Sequence, residues 1–110
     1  MTESTTPSLK SVRLAKFSKM LAKLPDDIQQ TAEDLFDLFY KDPMDPMLRN
    51  KPVYDSSKGR HRASSRSVQV TLRYRAVYVV DNGEDGNGDD QYCWYWIGSR
   101  EDYGTFIGCR

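Results

Sequence analysis

Arg100 and Tyr103 stand three residues apart, directly after an aromatic run that stops at Gly98. That run, Trp94-Tyr95-Trp96-Ile97, delivers a guanidinium and a phenol to the rim of an apolar strand. A block of cations precedes it: Arg49, Lys51, Lys58, Arg60, Arg62, Arg66, Arg73 and Arg75, against one acid, Asp55. Guanidinium and ammonium groups hold phosphate by charge-assisted hydrogen bonds. They also stabilise charge that develops in a transition state. Clustered cations lower the pKa of a nearby phenol or amine, so that it exchanges protons near neutrality. RNA cleavage by attack of the 2′-OH needs three such services. The hydroxyl loses a proton, the phosphorane charge is stabilised, and the departing oxygen gains a proton. Arg62, Arg66, Arg73, Arg75, Arg100 and Tyr103 supply these residue types without a metal. His61, the one histidine, is a further proton carrier, though a lone histidine in a basic stretch is more often a surface residue.

Other chemistries fit poorly. Two cysteines, Cys93 and Cys109, make neither a disulfide framework nor a zinc site. Cys93 lies in an apolar run and is expected to be a buried thiol, as suits a reducing compartment. Asp81–Asp90 is acidic and glycine-rich, but counting from Asp81 the twelfth position is Tyr92, where a calcium loop needs a bidentate Glu. A solvated hairpin turn is the stronger reading. No phosphate-cradling glycine motif precedes a helix. No metal or other cofactor is expected. No segment has the length of a membrane span and no signal peptide is visible, so the expected location is cytoplasmic, in a bacterium.

The elements that must position these groups follow from periodicity. Residues 1–10 are expected to be a frayed tail, and residues 11–110 a single domain. Val12, Leu14, Phe17, Met20, Leu21 and Leu24 share one face of a helix predicted over Ser11–Leu24. Pro25 ends that helix and opens the next, with Asp26 and Asp27 in its first turn, where the helix dipole favours them. Ile28, Ala32, Leu35, Phe36 and Phe39 continue at helical spacing to Asp42-Pro43. Three prolines make Lys41–Ser57 an ordered loop. Strands are predicted within Arg62–Thr71, at Arg73–Val80 and at Gln91–Gly98, and one or two helical turns at Glu101–Ile107. Simple alternation puts Trp94 and Trp96 on one strand face. Core packing there is favoured over stacking on nucleobases. The fold class is α+β: a helical hairpin covering a small antiparallel sheet.

The net charge of zero hides segregation. Residues 1–48 carry −2, residues 49–75 carry +7, and residues 76–110 carry −5. A basic block between acidic flanks suits a phosphate backbone or an acidic protein.

Four segments give the chain a likeness. They are Lys23-Leu24-Pro25, Phe39-Tyr40-Lys41-Asp42-Pro43, Tyr74-Arg75-Ala76 and Trp94-Tyr95-Trp96-Ile97-Gly98-Ser99-Arg100-Glu101-Asp102-Tyr103. In this order and spacing, from Leu14 to Ile107, the chain resembles the RelE/ParE superfamily of toxins from bacterial type II toxin–antitoxin modules. The resemblance implies a basic face opposite the helical hairpin and a cognate antitoxin that wraps it. RelE-like members cut messenger RNA, usually on the ribosome, whereas ParE-like members poison DNA gyrase. Arg100 matches the arginine that follows the last strand in the RelE pattern, with Ser99 in place of a lysine. In the subgroup with the closer tryptophan-rich ending, histidine is usual where this chain has Arg100. The resemblance implies that Arg100 and Arg75 hold the scissile phosphate. Tyr103 or His61 would then handle protons, and Lys51, Arg62, Arg66 and Arg73 would bind RNA. A gyrase inhibitor without chemistry and a silent basic binding module are the alternatives.

Overall fold

Pro25 separates two helices in the computed structural model, which describes residues 10–53, 59–81 and 91–108. Helix α1 spans Ala15–Ala22 and α2 spans Asp26–Lys41. Pro25 has the φ of a residue entering a helix, and its carbonyl accepts from Gln29 N at 2.9 Å. The Gln29 side chain donates back to Leu24 O at 2.8 Å, closing the corner. Phe17 and Leu21 of α1 and Ala32, Phe36 and Phe39 of α2 are buried, as their spacing requires.

The α+β expectation holds, with two further strands. Beside β3 (Arg66–Thr71), β4 (Tyr74–Asp81) and β5 (Gln91–Ser99) run β1 (Lys10–Arg13) and the two-residue β2 (Lys51–Pro52). The sheet order is β1-β5-β4-β3-β2. The β1–β5 pair is parallel and the other pairs are antiparallel. The first helix therefore begins at Ala15 rather than Ser11. Val12 sits opposite Cys93 on a strand, where its helical spacing from Phe17 is incidental. Within the predicted loop, a short 3-10 turn at Pro46–Leu48 carries Leu48 into the core. Residues 1–9 of the expected 1–10 tail, residues 54–58, most of the acidic segment (residues 82–90) and residues 109–110 lie outside the described residues, whereas Lys10 opens β1.

β1 is tied to α2 by charge. Arg13 donates to both carboxylate oxygens of Glu33, at 2.8 and 2.6 Å, and its guanidinium lies 4.8 Å from the Phe36 ring centroid. The bond from Arg13 holds the Glu33 carboxyl below the usual carboxylate range. Its folded pKa is thus depressed, so its contribution to stability is present above the unfolded value of about 4.3. That contribution is lost as the pH falls through the folded value. Both groups are partly exposed, so Glu33→Gln is expected to cost only about 0.5–1 kcal/mol at pH 7. The difference from wild type should shrink below pH 4, measured by urea unfolding at a series of pH values.

One sheet face packs under the helical hairpin. Trp94 is fully buried there with Phe17, Phe36, Phe39, Val68, Ala76, Tyr78 and Ile97. Trp96 is on the other face with Val77 and Tyr103. The two tryptophans do not share a face, contrary to simple alternation. Val77 pairs with Trp96 and Tyr78 with Trp94, which leaves Tyr95 as an extra residue in β5. A bulge of this kind breaks the period of two. Both indoles serve packing: Trp94 is 0% and Trp96 7% exposed. Cys93 is a buried free thiol, as expected. Burial raises its pKa, and the Asp81 carboxylate that accepts its proton at 3.1 Å adds to the rise.

Candidate active site

The bulge gives the second sheet face an aromatic floor, and α3 (Arg100–Phe106) lies on it. Ser99 caps the helix: its Oγ accepts from Asp102 N at 3.1 Å. Glu101 and Asp102 in the first turn suit the dipole. Arg100 N donates to Arg73 O at 2.7 Å, tying the helix start to the β3–β4 turn. Phe106 stacks on Trp96 with centroids 4.7 Å apart and planes 12° apart. Gly98 permits this stack, because a Cβ there would stand 2.9 Å from the Trp96 ring.

Between α3 and strands β2 and β4 opens a cleft of ≈ 420 Å³, lined by Lys51, Pro52, Val53, Arg75, Arg100, Tyr103, Gly104 and Ile107. Four sequence-predicted residues thus meet: Lys51, Arg75, Arg100 and Tyr103. Three are cations, and no carboxylate among the described residues lines the cleft. The Arg75 guanidinium lies 5.3 Å from the Tyr103 ring centroid, a cation–π distance. Its Nη1 is buried and has no hydrogen-bond partner among the described residues. A buried donor left unpaired is costly in a folded chain, and the rest of the residue lines the cleft, where its charge acts on an anion. Tyr103 is 8% exposed, and its hydroxyl donates to Ser67 Oγ at 3.2 Å. The arrangement can bind a phosphate from several sides and stabilise charge on it.

The other candidates lie elsewhere. Arg66 Nε donates to Asn50 Oδ1 at 2.8 Å, and Asn50 donates to the Tyr78 hydroxyl at 2.7 Å and to Pro43 O at 2.9 Å. Arg66 therefore braces the 3-10 loop. Burial raises the Tyr78 pKa against the opposing effect of the Asn50 bond. Arg62 is exposed, 3.7 Å from the Asp81 carboxylate and 5.9 Å from the Tyr95 ring centroid. Arg73 is exposed in the β3–β4 turn, with its N–H donating to Thr71 Oγ1. His61 packs beside Phe106, with ring centroids 6.3 Å apart, and does not line the cleft. Sequence reasoning missed Ser67, a small strand residue with no signal of its own.

A second depression, of ≈ 550 Å³, is lined by Met20 of α1, Leu24 after it, Tyr74 of β4, Trp96 of β5 and Phe106 of α3, with Lys23, Arg60 and Asp102 among its polar groups. It is larger and more apolar but contains neither Arg75 nor Arg100. No group of three or more His, Cys, Asp or Glu side chains suited to a metal occurs among the described residues. No helix among them is long and apolar enough to cross a membrane.

No protein-family model and no curated protein sequence matches the chain. In fold it is similar to YafQ from E. coli (TM-score 0.59, 16% identity), covering 86% of this chain and 97% of that one. It is similar to a chain of the toxin–antitoxin complex RelBE2 from Mycobacterium tuberculosis (TM-score 0.58, 16% identity), covering 86% and 100%. A YoeB/ParE toxin from Agrobacterium tumefaciens aligns at TM-score 0.58 and 15% identity, covering 84% and 99%.

Proposed function

We propose that this chain, which has the fold of the RelE/ParE toxins, is the toxin of a type II toxin–antitoxin module and a metal-independent endoribonuclease acting on messenger RNA. One observation carries this reading. Arg75, Arg100 and Lys51 line one cleft, and among the described residues no acid lines it with them. Arg75 and Arg100 hold the scissile phosphate and stabilise the phosphorane, and Lys51 binds a neighbouring phosphate. Arg62 and Arg73, exposed outside the cleft, steer the RNA electrostatically. Messages and ribosomes place this action in the cytoplasm.

The RelBE2 structure is a toxin–antitoxin complex, which supports an antitoxin as partner here. That antitoxin carries an acidic segment facing the basic 49–75 block, so its association slows as salt rises.

Primer extension on cellular messages after induction tests the reading. New ends are expected, and they should disappear with Arg100→Ala. A gyrase inhibitor is the second reading, and one observation favours it: among the described residues neither a histidine nor a carboxylate lines the cleft to move a proton. Growth arrest with intact messages and lost gyrase supercoiling would establish that reading in place of the first.

A further inference from the structure

Ser67 lies on β3, in register with Lys51 of β2 on one side and Val77 of β4 on the other. It is fully buried, an unusual place for a hydroxyl unless that hydroxyl is hydrogen-bonded. Its Oγ accepts the Tyr103 hydroxyl at 3.2 Å. Trp96 flanks the Tyr103 ring with centroids 6.1 Å apart, and the Arg75 guanidinium rests over the same ring. A chain of contacts thus runs from the sheet interior to Arg75, which lines the cleft.

We propose that Ser67 is a positioning residue: by holding the phenolic O–H of Tyr103 it fixes the ring as the platform that orients Arg75, and Tyr103 acts through that ring and not as a proton carrier. The proposal rests on the reading of the cleft as a phosphate site. Tyr103 directs its proton into the core, toward Ser67. Passing it to a substrate would break that bond and leave two buried hydroxyls unsatisfied. The ring face, by contrast, already touches the group that binds the anion. Small displacements of such a group are costly to rate, about 10²-fold for 1 Å.

A double-mutant cycle separates the roles. Ser67→Ala and Tyr103→Phe remove the same hydrogen bond. Each is expected to lower kcat for RNA cleavage by about 3- to 10-fold, with KM and the shape of the pH–rate profile unchanged. The double variant should lose no more than either single one. Tyr103→Leu, which removes the platform itself, should lose about 10²-fold. A Tyr103→Phe loss well above that of Ser67→Ala, with a pH limb flattened, would make Tyr103 a proton carrier and overturn the proposal. So would losses that multiply in the double variant. A second readout needs no RNA. The Arg75 side-chain protons, shifted by the Tyr103 ring current, should move in the NMR spectrum of Ser67→Ala. If they do not, the positioning role fails. If they move while the wild type cuts no RNA, the positioning role stands and the ribonuclease reading falls.

Discussion

Arg75→Ala is expected to lower message cleavage by about 10²- to 10³-fold, the range for removing one preorganised donor to a developing anion. Arg75 is suited to this role by its surroundings. Its strand position opposite Gly98 sets the guanidinium into the cleft, and Tyr103 orients its plane. The buried Nη1 makes no hydrogen bond to the described residues, so the same substitution should shift the melting temperature little. Arg75→Lys should recover only part of the rate, because an ammonium lacks the planar fork and stacks poorly. Initial rates and thermal melts on the three proteins decide the point. A cleavage rate within about threefold of wild type would remove Arg75 from the reaction.

The largest expected effect on stability is at Trp94. Its indole is 0% exposed and touches four aromatic rings, with centroids 4.7 Å from Phe36, 4.8 Å from Tyr78, 5.0 Å from Phe39 and 6.2 Å from Phe17. Alanine there leaves a cavity between the hairpin and the sheet that these rings cannot close. The expected cost is about 3–5 kcal/mol, a large share of the ~5–15 kcal/mol that holds a small domain folded. Trp94→Phe should cost less. The indole Nε1 is buried without a partner among the described residues, so phenylalanine removes an unsatisfied donor while keeping most of the packing. Denaturant midpoints of the two variants would show the difference. Equal losses would contradict this account of the core.

Much of this was legible along the chain because it is local. Proline at residue 25 and the spacing of Phe17, Ala32, Phe36 and Phe39 specify a helical hairpin without knowledge of the sheet. β1 was not legible: Lys10–Arg13 has one apolar residue, and its pairing with β5 is parallel and spans most of the chain. The bulge at Tyr95 was hidden for a related reason. Alternation assumes an unbroken ladder, and only the partner strand reveals the extra residue. At the site, Arg75, Arg100, Tyr103 and Lys51 were found from residue type and from the end of the last strand. Their meeting depends on α3 folding back over the sheet, which no spacing expresses. The separation of His61 and Arg66 from the cleft is equally nonlocal. Arg66 is engaged by Asn50, sixteen residues away, and His61 by the end of α3. Ser67 became visible only as the acceptor for Tyr103.

The chemistry of the cut ends tests the central claim most directly. Attack by the 2′-OH, with arginines stabilising the phosphorane and no metal-bound water, leaves a 5′-hydroxyl on one fragment and a cyclic 2′,3′-phosphate on the other. Messages recovered after induction should therefore carry new 5′ ends that accept label from a polynucleotide kinase without prior phosphatase treatment. They should be absent when Arg75→Ala is induced. New ends that already bear a 5′-phosphate, or messages that stay intact while growth stops, would contradict it.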